Sequence, residues 1–227
     1  MEFRSDIDVR KRLTELFPEL DFATACRLAG ECRVLYFRQG EEIFNNAGPA
    51  IAVDWLLEGR CKLIKALQPS RETVLHLVDA GHFLDLCVFS GHEKRVVTAQ
   101  ALTDCTVLRF ERNSITQAVT CCGNFALRVI RALAVRERMF INKIAASQGK
   151  ISVRRRLAGW ILHRMRMEGA AKITNSETRE LLAGLLGVTR ESLSRQLSTF
   201  ASEGILKIEK DFIIVMDERS LRRAMEE

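Results

Sequence analysis

A short polar row near the carboxyl end of the chain carries the side chains best suited to chemistry. The row consists of Arg190, Glu191, Ser192, Ser194 and Arg195. Arginine can donate two hydrogen bonds to the O6 and N7 atoms of guanine, and glutamate can accept one from the N4 amino group of cytosine. Such residues on the outer face of one helix predict contacts with base edges in a DNA major groove.

The neighbouring residues predict the frame that would hold this row. Ala183 and Gly187 stand four residues apart, and two steeply crossing helices joined by a tight turn favour small residues at such positions. Thr178 and Thr189 are suited to cap the first and the second helix. The second helix has an inner apolar stripe of Leu193, Leu197 and Phe200. Alternating residues within 205–215 then predict a two-stranded wing, so the segment reads as a winged helix-turn-helix.

The same segment resembles a known family. Gly187-Val-Thr-Arg-Glu-Ser-Leu-Ser-Arg195 is similar to the recognition-helix signature of the cAMP receptor protein/fumarate-nitrate reductase regulator (CRP/FNR) family of bacterial transcription factors. The family's Arg-Glu-x-x-x-Arg base-reading positions fall on Arg190, Glu191 and Arg195. One departure is Gln196, where the family usually buries an aliphatic residue.

The resemblance also implies the partners of this segment. Thr178 and Arg179 match family positions that hold DNA phosphates. The family would bind a palindromic double-stranded operator as a homodimer, with RNA polymerase as an open further partner. The full DNA-binding set is Thr178, Arg179, Thr189, Arg190, Glu191, Ser192, Ser194 and Arg195.

Length and charge bound the class of protein. The 227 residues carry a net charge of +6, of which +4 lies from residue 148 onward, as suits a nucleic-acid binder. Arg154, Arg155 and Arg156 are interpreted as a solvated face near DNA. The sequence has no apolar run of ~18 residues and no secretory leader, which predicts a cytoplasmic protein without a membrane partner. Since no catalytic motif is visible, an enzyme is not expected.

The pattern along the chain predicts an α+β fold. Short helices are expected at 8–17 and 22–30, and from 33 to 110 short apolar runs broken by glycines predict an all-β barrel or roll. The resemblance implies a cyclic-nucleotide-binding-type β jelly roll. The expected parts are a sensory β-roll domain (1–110), a dimerisation helix region (111–147) and a winged helix-turn-helix DNA-binding domain (148–227), with a hinge at 147–150.

A long apolar-rich helix is expected from about residue 124. A roughly heptad stripe along it comprises Leu127, Ile130, Ala134, Ile141 and Ile144. So much apolar surface must be buried on more than one face, which predicts a homodimer interface. Glu137 interrupts the stripe, and a buried helix in a monomer is the alternative.

The segment from Gly81 to Val96 matches the place where the family binds a cyclic nucleotide. The family's Gly-Glu pair is missing, although Asp85 lies close, and Val96 replaces the serine that follows Arg95. Because valine cannot hydrogen-bond a phosphate, cyclic AMP is not the expected ligand. One open interpretation is that the Arg95 side chain lies in solvent. The candidate effector pocket comprises His82, Phe83, Asp85, Cys87, Arg95 and Val96.

Three inputs stay open for this pocket. They are an iron–sulfur cluster on cysteine thiolates, a haem with Cys87 or His82 as first ligand, and a small apolar or anionic metabolite. The odd count of seven cysteines argues against a disulfide framework, and their spacing does not reproduce the family's oxygen-sensing cluster. The stretch 90–108 resembles regulators of nitrosative-stress genes, which favours a gas signal. No residue is assigned as a metal ligand. The alternative to a DNA-binding regulator is a cyclic-nucleotide-type regulatory module that acts on a protein partner.

Overall fold

The chain divides into two compact units. A computed structural model describes residues 8–68, 71–147, 151–175 and 177–226. One unit extends to Arg138 and the other begins at Met139. The predicted division at residues 110 and 147 stays a prediction, and residues 148–150 of the predicted hinge lie outside the described residues.

The first unit is built from a roll of strands and from helices. Its strands are β1 (Arg33–Phe37), β2 (Glu42–Phe44), β3 (Ala52–Glu58), β4 (Arg60–Gln68), β5 (Arg71–Asp79), β6 (His82–Asp85), β7 (Thr98–Ala101) and β8 (Cys105–Glu111). Its helices are α1 (Val9–Leu16), α2 (Phe22–Glu31), α3 (Arg112–Cys121) and the larger part of α4 (Gly123–Ser147), which continues past Arg138 into the second unit. A 3-10 turn covers Cys87–Ser90. In the described part of the chain the strands form two antiparallel sheets, in the orders β1-β8-β3-β6 and β2-β7-β4-β5. The apolar runs between residues 33 and 110, which the sequence predicts as strands, all form strands of the roll.

Alternation along β3 sorts its side chains into two cores. Trp55 belongs to the core beneath the helices, whereas Leu56 belongs to the core between the two sheets. The Trp55 ring lies edge-on at 4.8 Å from Phe17 and at 4.7 Å from Phe83. Because Phe17 closes α1 and Phe83 lies on β6, this aromatic contact joins the helices to the roll.

The turn between β3 and β4 requires a glycine. Gly59 has a φ of +91°, and a Cβ there would lie 2.3 Å from the carbonyl oxygen of Asp104. Both the backbone conformation and the close approach therefore exclude a side chain. Gly59 is thus one of the glycines that separate the apolar runs in the sequence.

The break between α3 and α4 turns the chain sharply. No single helix among the described residues is long and apolar enough to cross a membrane. The pair Arg112–Cys121 and Gly123–Ile141 meets those criteria only when taken together, with a bend of 114° between its members.

The second unit wraps helices and a small sheet around one apolar core. Its elements are α5 (Val153–Glu168), β9 (Lys172–Thr174), α6 (Arg179–Leu186), α7 (Arg190–Ser202), β10 (Leu206–Ile208), β11 (Phe212–Val215) and α8 (Glu218–Glu226). The sheet order is β10-β11-β9, so the predicted wing is confirmed and gains β9 as a further strand. Leu157, Leu197 and Phe200 are fully buried in the core, with Trp160 packed partly buried against it. The predicted α+β architecture is confirmed.

Candidate nucleic-acid interface and effector site

The turn between α6 and α7 has the geometry that its residue types predict. The Thr178 side chain accepts a hydrogen bond from the amide of Leu181 at 3.2 Å, and Thr189 accepts one from Ser192 at the same distance. Gly187 ends α6 with a φ of +64°, in the left-handed region. Both predicted caps and the glycine turn are confirmed, and together they fix where α7 begins.

Helix α7 separates an apolar inner face from a polar outer one. Leu193, Leu197 and Phe200 are buried in the core of the second unit. Arg190, Glu191 and Arg195 are exposed, and Ser192 and Ser194 are half-buried beside them. The predicted polar row is therefore continuous on one surface. A helix that presents arginine and glutamate in this way can offer donors and acceptors to base edges.

Hydrogen bonds and one ion pair order the beginning of this row. Arg195 donates from Nη2 to the Ser192 hydroxyl at 3.3 Å, and the Thr189 hydroxyl donates to the same oxygen at 3.0 Å. The Arg190 guanidinium lies 2.8 Å from a carboxylate oxygen of Glu180 on α6. Glu180 was not among the predicted site residues, although its acidic side chain in the first turn of α6 was the available signal.

Two further side chains of the second unit, Arg179 and Gln196, each have a buried nitrogen atom with an unsatisfied hydrogen bond among the described residues. Arg179 is half-buried and Thr178 is exposed at the beginning of α6. Neither Nη1 of Arg179 nor Nε2 of Gln196 has a hydrogen-bond partner in the described part of the chain, although both atoms are buried. Gln196 is thus partly enclosed where the family usually has an aliphatic residue.

The interpretation of residues 154–156 as a solvated face is wrong for two of the three. Arg154 forms a two-pronged ion pair with Glu203, at 3.0 and 2.8 Å, and its guanidinium lies 4.7 Å from the Phe200 ring centre. Arg156 donates from Nη1 to the carbonyl oxygens of Leu186 and Gly187, both at 3.1 Å. Arg155 alone is exposed. The last carbonyls of α6 need donors, and Arg156 supplies one.

Arg95 is buried, so the expectation that it could be solvated is wrong. It is 5% exposed, and its Nη2 donates to Asp54 at 2.9 Å and to the Ala52 carbonyl at 3.0 Å. Its Nη1 lies 3.3 Å from Asp85, and its guanidinium lies 3.8 Å from the Phe44 ring centre. A second arginine, Arg109, donates to the other Asp54 oxygen at 2.6 Å. Two arginines and two aspartates thus balance their charges inside the roll.

Charged residues within apolar strands are the sequence signal for this network of ion pairs. Asp54 lies within the apolar strand β3 and is fully buried, and Arg109 interrupts the apolar strand β8 that pairs with it. Charged residues at inward positions of buried strands are expensive unless they are paired. Such residues therefore predict an internal ion pair rather than a surface.

The six residues of the predicted effector pocket do not share one cavity wall. Asp85, Cys87 and Arg95 do lie together. Phe83 instead packs in the aromatic core at 2% exposure, and His82 is exposed with Nδ1 near the carbonyls of Asp79 and Ala80. Val96 is 51% exposed. In a strand, neighbouring residues point to opposite faces, which separates His82 from Phe83 on β6. Arg95 and Val96 lie in the irregular segment before β7, where one side chain is buried and the other exposed.

Burial raises the pKa of several of the cysteine thiols. Cys87 donates from Sγ to Asp85 at 2.7 Å, and burial, together with this hydrogen bond, raises the pKa of the Cys87 thiol to about 12. Burial likewise raises the pKa of Cys32 to about 12 and that of Cys61 further. No group of three metal-type side chains converges among the described residues. The described residues therefore do not bring together the set of cysteine ligands that an iron–sulfur cluster needs.

The residues of the predicted dimer stripe lie along α4 at its surface. Leu127, Ile130, Ile141 and Ile144 are between 48% and 57% exposed, and Ala134 is exposed as well. On the opposite side, Phe125 and Val129 are buried in the core beneath the helices. The Arg136 side chain of α4 donates to the Phe83 carbonyl at 2.6 Å, which joins this helix to β6. Burial lowers the pKa of Arg136, and the nearby Asp85 opposes that shift.

Two protein-family models match the chain. Residues 34–120 match the cyclic nucleotide-binding domain, and residues 155–224 match the Crp-like helix-turn-helix domain. The first match lies on the roll with α3, and the second includes the complete α6–α7 pair and the wing.

Relatives and solved structures with the same architecture cover nearly the whole chain. A CRP-like cAMP-activated global transcriptional regulator from Mycobacterium tuberculosis is 23% identical over 92% of this chain and 96% of its own length. The structure of a CooA variant from Carboxydothermus hydrogenoformans matches 93% of this chain and 94% of its own with a TM-score of 0.78 and 20% identity. FixK2 from Bradyrhizobium japonicum matches 85% and 96% with a TM-score of 0.74 and 22% identity.

The contact between Arg156 and the end of α6 generates a stability prediction. Replacing Arg156 by alanine should lower the free energy of unfolding of the second unit by about 2 kcal/mol, since charge-assisted hydrogen bonds to two carbonyls are lost. Arg155→Ala, at the exposed neighbouring position, should change it by less than ~0.5 kcal/mol. Urea denaturation followed by circular dichroism measures both. Equal midpoints for the two variants would show that the contact contributes nothing.

Proposed function

Because this chain belongs to the CRP/FNR family of bacterial transcription regulators, we propose that it binds a specific palindromic DNA operator as a homodimer under the control of a signal received in the roll. The helix-turn-helix domain makes it a DNA-binding regulator. Its place of action would be the cytoplasm, where the operator lies, and RNA polymerase would be the protein partner on that DNA. The known relatives are transcription regulators, which supports a function other than catalysis.

The observation that carries this proposal is the polar row on α7. Arg190, Glu191 and Arg195 are exposed on one face of a helix whose other face is buried in the domain core. The row begins after a turn that is held by the Thr189 cap and by the hydrogen bond from Arg156 to the Gly187 carbonyl. The orientation of the row is therefore set before DNA is bound. Thr178 and Arg179 at the beginning of α6 are proposed to contact the phosphates that flank the groove. The α7 side chains would then read the bases.

The homodimer is proposed from the apolar surface of α4. In heptad register, Leu127, Ala134 and Ile141 share one position, and Ile130 and Ile144 share the other. Exposed apolar side chains that recur along one face of a helix, here interrupted by Glu137, are unfavourable in water. The same helix of a second copy is the occupant that this repeat fits. Two recognition helices brought to a separation of ~34–36 Å would match successive major grooves.

The signal that gates binding is proposed to be other than a cyclic nucleotide. The arginine that would face a phosphate is already neutralised by Asp54 and Asp85, and both aspartates are at least nine-tenths buried. An incoming phosphate would have to displace a buried carboxylate, which is costly. Of the three inputs considered, a small apolar metabolite is the one that this interior favours. Arg136, which joins α4 to β6, would carry its effect to the dimer helix.

Base recognition is tested by replacing Arg195. Arg195→Ala should weaken binding to a selected operator by about 1–3 kcal/mol and relax the preference at one base pair per half-site. Arg179→Ala should weaken binding to all sequences alike and lower the slope of log affinity against log salt by about one. Selection from random-sequence DNA followed by gel-shift titration measures both. An Arg195→Ala protein that selects the same motif with unchanged affinity would refute the assignment of α7.

Dimerisation is tested by placing a charge in the α4 stripe. Ile130→Glu should raise the dimer dissociation constant at least a hundredfold, about 3 kcal/mol, because a carboxylate would enter an apolar seam unpaired. Arg131→Glu, at an exposed position one residue on, is the matched control and should leave the dimer intact. Light scattering coupled to size exclusion reports the mass. A wild-type protein that is monomeric at micromolar concentration contradicts the proposal.

The ligand class is tested with cyclic AMP. A ligand bound with a dissociation constant of about 10 µM would, at about 1 mM, stabilise the folded protein by ~2.7 kcal/mol. We expect no such rise in melting temperature and no tightening of operator binding, since the phosphate would meet an arginine whose charge is already compensated. Titration calorimetry is the direct measurement. A saturable heat with a micromolar dissociation constant would overturn this part of the proposal.

A further inference from the structure

We infer that Glu180 is a positioning residue for DNA recognition, which holds the Arg190 guanidinium in one orientation for the base it reads. The inference rests on the proposed function, because it assigns to α6 a role in the specificity of α7. The distance that carries it is 2.8 Å, between Nη1 of Arg190 and Oε1 of Glu180. Glu180 lies in the first turn of α6, and Arg190 is the first residue of α7.

The backbones that present these two side chains are fixed. The amide of Val188 donates to the Ala183 carbonyl at 3.0 Å, and Arg156 holds the carbonyls of Leu186 and Gly187. Each helix also begins at a threonine cap. The two helices therefore offer a rigid frame, and only the side-chain torsions of Glu180 and Arg190 remain to be set.

The pair contributes little to the stability of the fold. Both side chains are well exposed, at 62% for Arg190 and 60% for Glu180, and an exposed ion pair gains little over water. The pair instead reduces the number of rotamers that the Arg190 side chain can adopt. A long side chain at the first position of a recognition helix has many rotamers to lose when it binds DNA, and one held guanidinium nitrogen leaves fewer to lose.

The carboxylate also lowers the attraction of Arg190 for phosphates. An arginine without an acidic partner binds any nearby phosphate, which raises affinity for every sequence alike. Arg190 shares its charge with Glu180, whereas the Arg195 guanidinium donates to the neutral hydroxyl of Ser192. Glu180 therefore favours the geometrically demanding base contact over the unspecific one, which is how a repulsive group adds specificity.

Glu180→Gln removes the charge and keeps the shape, so it is the first test. In random-sequence selection, the preference at the base pair read by Arg190 should fall about fivefold or more, within the range of one bidentate contact. Affinity for unselected DNA should rise, and the slope of log affinity against log salt should steepen by about one as Arg190 is released to a phosphate. The melting temperature should stay at the wild-type value.

Glu180→Asp separates position from charge. The shorter side chain keeps the negative charge but withdraws the carboxylate by one methylene from the 2.8 Å contact. The salt slope should stay near that of the wild type while the base preference falls. In a double-mutant cycle, Arg190→Ala should cost much less preference in the Glu180→Gln protein than in the wild type.

Glu203→Gln is the matched control. Glu203 pairs with Arg154 in the same domain, at the carboxyl end of α7, and its loss changes the net charge equally. It should leave base preference and salt slope unchanged. If Glu180→Gln behaves as Glu203→Gln does, or if the cycle is additive, the inference is overturned while the proposed function stands. A wild-type protein that enriches no sequence would overturn both.

Discussion

The compensation of charge inside the roll is the constraint on which the first unit depends. Asp54 is fully buried and accepts hydrogen bonds from Arg95 and Arg109, and Arg95 extends the network to Asp85. Asp54, Asp85 and Arg109 come from β3, β6 and β8 of one sheet, and Arg95 joins the segment before β7 to that sheet. Breaking a buried ion pair by removing one partner costs about 3–5 kcal/mol. A substitution at one of these four residues would therefore need a compensating substitution at another.

In the second unit the corresponding constraint is the turn before α7. Gly187 in the left-handed region, the Thr189 cap and the Arg156 side chain all act on the short stretch from Ala183 to Thr189. None of these three residues belongs to the row Arg190–Arg195. They set the angle at which that row is presented, so the chemistry of its exposed side chains depends on the geometry of the turn before it.

Local pattern predicted most of the fold and part of the candidate site. The strands of the roll, both caps, the Gly187 turn and the outer row of α7 follow from periodicity and turn chemistry within a few residues. The roles of Arg95 and Arg156 did not follow, because their partners lie far along the chain: Asp54 is 41 residues from Arg95, and Leu186 is 30 from Arg156. Phe83 was wrongly placed in the pocket because His82 and Phe83, as neighbours on a strand, point to opposite sides. The direction of a side chain depends on the pairing of the whole sheet.

The position of the aromatic residues has a spectroscopic consequence. The sequence has two tryptophans, and they fall one in each unit: Trp55 is 2% exposed and enclosed by aromatic rings, while Trp160 is only partly buried. Because the two indoles differ in their exposure to water, their emission maxima should differ. Replacing either indole by phenylalanine would leave a protein whose intrinsic fluorescence reports on one unit alone, without any attached dye. The chain thus carries its own pair of optical probes for following the roll and the winged helix separately.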